Sequence, residues 1–354
     1  MRNYFAILLM SLLLPLDGLP QNNDAEEDFE EFDISGYEEA GGPTKVFCNN
    51  KVIGQSPTQL IAIAYDLQTA NELTAGAVAG IGSNTAPLQS ITGFRLISNF
   101  PILSRNNILI NFGLNYIQSN FNYSEDPIYE NPLLQNLREH TLQSINTNFT
   151  IFKPLNEKNF LLAQIAAELN GDYSFSDFQS LQQTRFPIAL MYGWKNNDRT
   201  MFGIGASRTY LGGSLNYLPV VYYFKSFNQN WGLEVLAPAR AFLRYRFNSL
   251  SLITLGYQVE GATYRLNNFP SYLPNENLED NIELRRSELR FRLSYDRSIK
   301  DFIWFSVQAG YRVNWLFNVD QGEFFRGFDD ADFYMENELT NPIYFQFSVS
   351  LVSP

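Results

Sequence analysis

Beyond residue 58 the chain repeats one motif: an alternating apolar–polar segment of roughly 8–17 residues, a polar turn, then another such segment. ILINFGLNYIQSN shows it clearly, with Ile108, Ile110, Phe112, Leu114 and Tyr116 on one face and Asn111, Gly113, Asn115 and Ser119 on the other. ELRFRLSYD sets Leu289, Phe291, Leu293 and Tyr295 against Glu288, Arg290, Arg292, Ser294 and Asp296. SVQAGYRVNW sets Val307, Ala309, Tyr311, Val313 and Trp315 against Gln308, Gly310, Arg312 and Asn314. Side chains of an extended chain alternate with a period of two, so each segment reads as a two-faced strand. About fourteen are predicted, near 59–69, 88–100, 106–122, 140–153, 159–174, 184–195, 200–210, 214–225, 229–237, 239–247, 251–266, 282–297, 302–318 and 341–352.

The connections narrow the architecture. Tight polar turns fall at SRNN, NEKN, NNDR, NQN, NSL and SIKD. Long connections fall around 71–87, 123–139, 267–281 and 319–340, with a medium one at 175–183. In several places tight and long alternate, as in transmembrane barrels with short turns on one side and longer loops on the other. An even strand count puts both termini on the tight-turn side. Trp194, Trp231 and Trp304 adjoin tight turns, and Trp315 lies about ten residues up its strand. This predicts aromatic girdles at two membrane interfaces.

Composition agrees. Charged residues are 18% and aromatics 15%, with 30 Phe and 20 Tyr. A mean hydropathy of −0.20 excludes a chain built of membrane helices. The net charge of −12 is mostly local: residues 1–44 hold ten acids against Arg2 alone, while the remainder holds 27 acids and 24 Lys plus Arg. Nothing supplies the positive surface that a nucleic-acid partner requires. Cys48 is the only cysteine, so no intrachain disulfide forms, and it lies too far from the leader to carry a lipid. The start MRNYFAILLMSLLLPLDGLPQ has a basic residue, a short apolar core and then Pro15 and Gly18, the layout of a secretory signal peptide. The expected organisation is a cleaved signal peptide over 1–20, an acidic and largely disordered periplasmic extension over 21–57, and an outer-membrane barrel over 58–354. The fold class is all-β: an antiparallel up-and-down transmembrane barrel of about fourteen strands, with twelve as the alternative count.

An arginine on the lipid face near mid-bilayer costs about 2–4 kcal/mol. In PARAFLRYRFN, residues 238–248, Ala241, Leu243, Tyr245 and Phe247 are therefore expected to face lipid, and Arg240, Arg244 and Arg246 the lumen. Register from the turns places Arg244 opposite Thr254 and Arg240 opposite Gln258, with Glu260 diagonal to it. Glu234 is diagonal to Arg240 and Arg244, Glu288 opposite Arg312, and Arg290 opposite Gly310. Arg240, Arg244, Arg246, Glu234, Glu260, Glu288, Arg290, Arg292 and Arg312 are thus the candidate lumen-lining residues. They form either a structural network or a pore lining that favours anions, since Arg outnumbers Glu.

The last strand, NPIYFQFSVSLVSP, alternates Ile343, Phe345, Phe347, Val349 and Leu351 with polar residues and resembles the assembly signal of outer-membrane barrels, although Ser353 and Pro354 replace the usual terminal aromatic. Expected partners are therefore the barrel-assembly machinery during insertion, and outer-membrane lipid and lipopolysaccharide afterwards. The stretches GIGASRTYLGG and LPVVYYFKSFNQNWGLEVLAPARAFLRYRFN, with the layout of residues 59–354, are similar to a family of outer-membrane β-barrel proteins of Bacteroidota-type, Gram-negative bacteria without an assigned function. The resemblance implies a barrel in the bacterial outer membrane and supplies no ligand or catalytic residue.

The expected function is a pore or small-solute transporter. Alternatives are a structural or surface-interaction barrel with a blocked lumen, and a hydrophobic-compound transporter with a lateral opening. Catalysis ranks last: the one histidine, His140, sits at a loop, with Ser144 four residues on. The acidic loop Asp329, Asp330, Asp332, Glu336 and Glu338 lacks calcium-loop spacing, so neither a metal nor a cofactor is expected.

Overall fold

The structure, a computed structural model, describes residues 47–124, 129–173, 184–210, 215–267, 269, 282–300, 302–321 and 333–352. The expected signal peptide, most of the acidic extension, and Asp329, Asp330 and Asp332 lie outside the described residues.

The strands, in chain order, are β1 (Gln59–Gln68), β2 (Asn71–Ala75), β3 (Asn84–Arg105), β4 (Ile108–Tyr123), β5 (Leu142–Pro154), β6 (Asn159–Gly171), β7 (Ile188–Asn197), β8 (Thr200–Thr209), β9 (Asn216–Ser226), β10 (Trp231–Ala237), β11 (Arg240–Asn248), β12 (Ser251–Arg265), β13 (Ile282–Lys300), β14 (Ile303–Gln321), β15 (Glu338–Leu339) and β16 (Ile343–Val352). Helix α1 (Pro132–Glu139) lies between β4 and β5. Each strand pairs antiparallel with its neighbour, and β1 pairs with both β16 (Ala64 opposite Ser348) and β3 (Ala64 opposite Arg95). The sheet is therefore closed. β2 carries β1 upward against β3 and β15, and β15 precedes β16, so the barrel has fourteen staves. Closure leaves no base edge unpaired, which lipid requires because it offers no hydrogen bonds.

The alternation read from the sequence is the alternation of the two faces. On β16, Ile343, Phe345, Phe347, Val349 and Leu351 are exposed, while Tyr344, Gln346, Ser348 and Ser350 are buried. On β13, Phe291, Leu293 and Tyr295 are exposed and Glu288, Arg290 and Ser294 buried. Ile188, Leu190 and Tyr192 on β7, Ile204 on β8, Val221 on β9 and Leu255 on β12 continue the apolar exterior. Trp231 and Trp315 are exposed on this outer face. Trp304 departs from expectation: it sits beside a tight turn but is buried with Leu252 and Val352. Its parity, opposite to that of Phe305 and Val307, points it inward. The tight turns are built by asparagine side chains: Asn156 accepts from the Lys158 and Asn159 N–H groups, Asn228 from Asn230 and Trp231, and Asn248 from Leu250.

The opposite end also carries packed structure. Leu133, Leu134 and Leu137 of α1 are buried in an apolar cluster with Leu73, Leu88, Ile91, Phe121, Leu284, Phe317 and Val319. The helix begins at Asn131, whose side chain accepts from Leu133 N–H, with Pro132 in the first turn. This plug was not visible in the strand pattern, because PLLQNLRE is too short to stand out. The wall also drops on one side. β10 and β11 are joined by Pro238 and Ala239 alone, as the expected strands 229–237 and 239–247 imply. β11 meets β12 no higher than Arg240 opposite Gln258, yet β12 runs on to Arg265. There Arg265 pairs in parallel with Gly171 of β6, and Asp172 N–H donates to the Arg265 carbonyl at 3.1 Å. The top of β12 thus meets the top of β6 above five shorter staves, β7 to β11.

A charge on the outer face should be costly where one on the inner face is not. Phe291→Arg should lower stability in a bilayer by about 2–4 kcal/mol, read from denaturant midpoints of the reconstituted barrel. The intact barrel should show heat-modifiable gel mobility; a chain that stays monomeric in water without detergent would contradict the lipid-facing exterior.

Candidate functional site

The inward charges gather mainly at the closing seam. Asp66 on β1 accepts from Arg95 Nε at 2.7 Å and Arg312 Nη2 at 3.2 Å, with Arg290 Nη1 at 3.7 Å. Glu260 on β12 takes Arg95 Nη2 at 2.9 Å and Arg290 Nη2 at 2.6 Å. Glu288 takes Arg290 Nε at 2.5 Å, Arg286 Nη2 at 2.9 Å and Arg312 Nη1 at 3.2 Å. The guanidinium groups of Arg312 and Arg290 lie 4.7 and 5.6 Å from the centroid of the Tyr344 ring. Because β3 and β12 are not adjacent staves, the Arg95–Glu260 pair ties two parts of the wall together through the interior. Three carboxylates face four guanidinium groups, and Arg312 is only 1% exposed. A network so enclosed is a filled part of the lumen.

The register explains who meets whom. Arg244 lies opposite Thr254 and Arg240 opposite Gln258, as expected. The β13–β14 hairpin is offset by two residues from expectation: Arg290 faces Arg312 and Arg292 faces Gly310. β13 runs through Lys300 and β14 starts at Ile303, so the hairpin turns later than expected. Glu288 shares the register of Arg290 and faces Asn314, and a register shift beyond it, at Ser287–Glu288, alters only the pairs further from the turn. Arg290 and Arg312, like charges face to face, are held by Glu288 and Asp66 between them.

A second group sits at the tight-turn end. Residues 47–57, assigned above to the acidic extension, instead pack against the inner wall. Cys48 and Val52 are buried with Phe152, Phe160, Met201 and Phe224. Glu234 accepts from Ser56 N–H at 2.9 Å and lies 3.5 Å from Arg244 Nε. Arg246 Nη2 donates to the Gln55 carbonyl at 3.0 Å, and Ser226 Oγ links Arg244 to the Ile53 carbonyl. Lys195 bonds to Asn49 and to the Lys51 carbonyl. This strap leaves the acidic run behind it at Lys45 and supplies apolar side chains and free carbonyls, which is why it can pack where an acidic segment cannot.

Between these fillings lie two adjoining cavities of about 390 and 420 Å³ that share Asn146, Gln164 and Glu168 in their linings. The first borders the charge network through Arg95, Glu260 and Arg290. The second is lined by β5 to β11 and reaches the low rim through Pro187, Arg208, Leu218 and Pro238. Arg240 belongs to its lining, is exposed to the lumen, and has no salt-bridge partner among the described residues. Arg292 donates to Gln308 at 3.2 Å and stacks over Phe242 at 4.2 Å. His140 closes α1, donating its N–H to the Asn136 carbonyl, and β5 begins only at Leu142, so His140 and Ser144 do not share a strand.

The nine lumen candidates therefore separate: Glu260, Glu288, Arg290 and Arg312 lie in the seam network, Glu234, Arg244 and Arg246 under the strap, Arg240 in the lining of the second cavity, and Arg292 between Gln308 and the Phe242 ring. Asp66, Arg95 and Arg286 were missed. Their signal was a charge at an inward position of an apolar strand, as in IAIAYDLQ and SITGFRLIS. Removing the central acceptor should be severe: Glu288→Ala leaves three arginines facing one another and should cost about 3–5 kcal/mol in unfolding free energy, with Glu288→Gln milder.

No curated protein matches the chain. Among solved structures, a NanC porin matches at 10% identity over 82% of this chain and 100% of its own, with a TM-score of 0.32. A Pseudomonas aeruginosa FadL homologue matches at 10% identity over 82% and 90%, with a TM-score of 0.36. The P. putida toluene transporter TodX matches at 8% identity over 85% and 91%, with a TM-score of 0.34. Scores this low carry no argument about this chain, whose fold rests on its own strand pairing. The profile of a family described as a domain of unknown function, DUF6268, matches residues 90–350, from within β3 to within β16. The chain belongs to the DUF6268 family.

Proposed function

We propose that this chain is an outer-membrane barrel that moves small solutes through a gated lumen. The observation that carries the reading is the pair of adjoining cavities inside a wall whose outer face is apolar. A barrel with no passage to make gains nothing from unfilled space lined by Asn146, Gln164, Glu168 and Arg240, since packed side chains would stabilise it more. An open selective pore ringed by arginine fits less well. Arg290 and Arg312 are engaged by carboxylates and enclosed, so they present little free charge to a passing ion. The strap at the tight-turn end acts in this reading as the inner gate, held by Glu234, Arg246 and Lys195. The apolar plug around α1 stands at the other end.

A structural barrel with a blocked lumen is the second reading, favoured by the same seam network. Planar bilayers and liposome swelling separate the two. The intact barrel should give sparse conductance, and a variant with residues 47–57 replaced by a Gly/Ser linker of equal length should raise solute flux at least tenfold. Silence from both, with heat-modifiable mobility retained, would overturn the transport reading in favour of the structural one.

A further inference from the structure

Among the described residues, the wall opens between the upper parts of β6 and β12. Val259 N–H donates to the Ala239 carbonyl at 2.8 Å, and Arg265 pairs with Gly171. Between those two points, no described residue pairs with β12 on the side away from β13. Pro238 and Ala239 form the sill of this gap, and the 420 Å³ cavity lies directly behind them, with Ala237, Pro238, Ala239 and Arg240 all in its lining. Unpaired backbone at this height is tolerable only where water or a guest occupies it.

The cavity's lining indicates the guest. Its body is apolar: Leu162, Met191, Val220, Tyr222 and Leu236 face into it. Its charged groups are Arg208, Arg240 and Glu168. Glu168 is already engaged, accepting from Asn146 Nδ2 at 2.7 Å, and Arg208 donates to the Phe186 carbonyl at 2.9 Å. Arg240 differs: it stands at the sill without a salt bridge to any described residue, although every arginine of the seam network has one. A guanidinium at the mouth of an apolar chamber suits a molecule with an anionic head and an apolar body, because the fork binds a carboxylate with two parallel hydrogen bonds while the body leaves water.

We propose that the gap between β6 and β12 is a lateral mouth, and that the chamber behind it binds amphiphilic carboxylates with the head on Arg240. As a substrate class this rests on the transport reading above; as a binding site it stands separately. The apolar part reaches the chamber over Pro238 and Ala239, and the head stays at the mouth, where Arg240 meets both the lumen and the rim.

The test is calorimetric titration of the intact, detergent-solubilised barrel with 4-phenylbutyrate, 4-phenylbutanol and 4-phenylbutylamine. The carboxylate should bind at least tenfold more tightly than the alcohol, and the amine most weakly. Arg240→Gln should remove that preference while leaving the alcohol's affinity unchanged, and Arg240→Lys should retain part of it. Ala239→Trp, which fills the sill without touching the charge, should weaken all three ligands. Equal affinity for the three ligands, or a carboxylate preference that survives Arg240→Gln in a barrel of normal heat-modifiable mobility, would overturn the site. Selective binding without 4-phenylbutyrate flux into liposomes would leave the site standing and overturn the transport reading instead.

Discussion

The barrel depends on closing a sheet whose first and last strands are nearly the whole chain apart. The β1–β16 ladder supplies backbone hydrogen bonds, but a ladder of alternating small and polar residues has little else to hold it: Ala62, Ala64, Ser348 and Ser350 face inward there. Asp66 changes this. It is on the first strand, and the guanidinium groups that meet it come from β3, β13 and β14, so one carboxylate gathers strands from both ends of the sequence. Glu288 and Glu260 complete the set. Each charge has a partner within hydrogen-bond reach, the condition under which buried ions stay ionised at tolerable cost.

That arrangement has a consequence for the lumen. Charges needed to secure the seam are withdrawn from solution into a tightly paired network. Space remains beside that network, in the cavity against Arg95, Glu260 and Arg290, and behind β5 to β11, where inward residues such as Ala189, Gly205 and Val220 are small. The shorter staves β7 to β11 lower the rim there. The strap adds a third filling at the tight-turn end, where Arg246 bonds the Gln55 carbonyl and Arg244 bonds Ser226 instead of lining a passage.

Much of this was legible in the chain. The fourteen staves were located from their period of two, whereas β2 and β15 fall in segments read as connections, 71–87 and 319–340. The partners of Arg240 and Arg244 came out right because the centre assumed near Ser249 matches the pairing above the register shift at Arg246–Asn248, and no further shift lies between Arg246 and Arg240. Glu288 and Arg290 came out two residues off because the polar stretch SIKD does not mark where the chain reverses: β13 continues through Lys300 and β14 resumes at Ile303, later than the expected centre. The helix α1 and the residues 47–57 were hidden for a different reason. Both are short, and their apolar residues matter only against walls that other strands build.

The sequence alone determined which face of each strand meets lipid and which meets the lumen, since an arginine cannot face hydrocarbon cheaply and the period of two leaves it only one other direction. It could not determine which inward charges meet. Arg240 and Arg290 carry the same side chain on the same kind of strand, but Arg290 is enclosed by Glu288, Glu260 and Asp66, while Arg240 stands at the lowest point of the rim. Contact across a lumen depends on stagger, strand length and closure, which are sums over all fourteen staves, and only the folded barrel sets them.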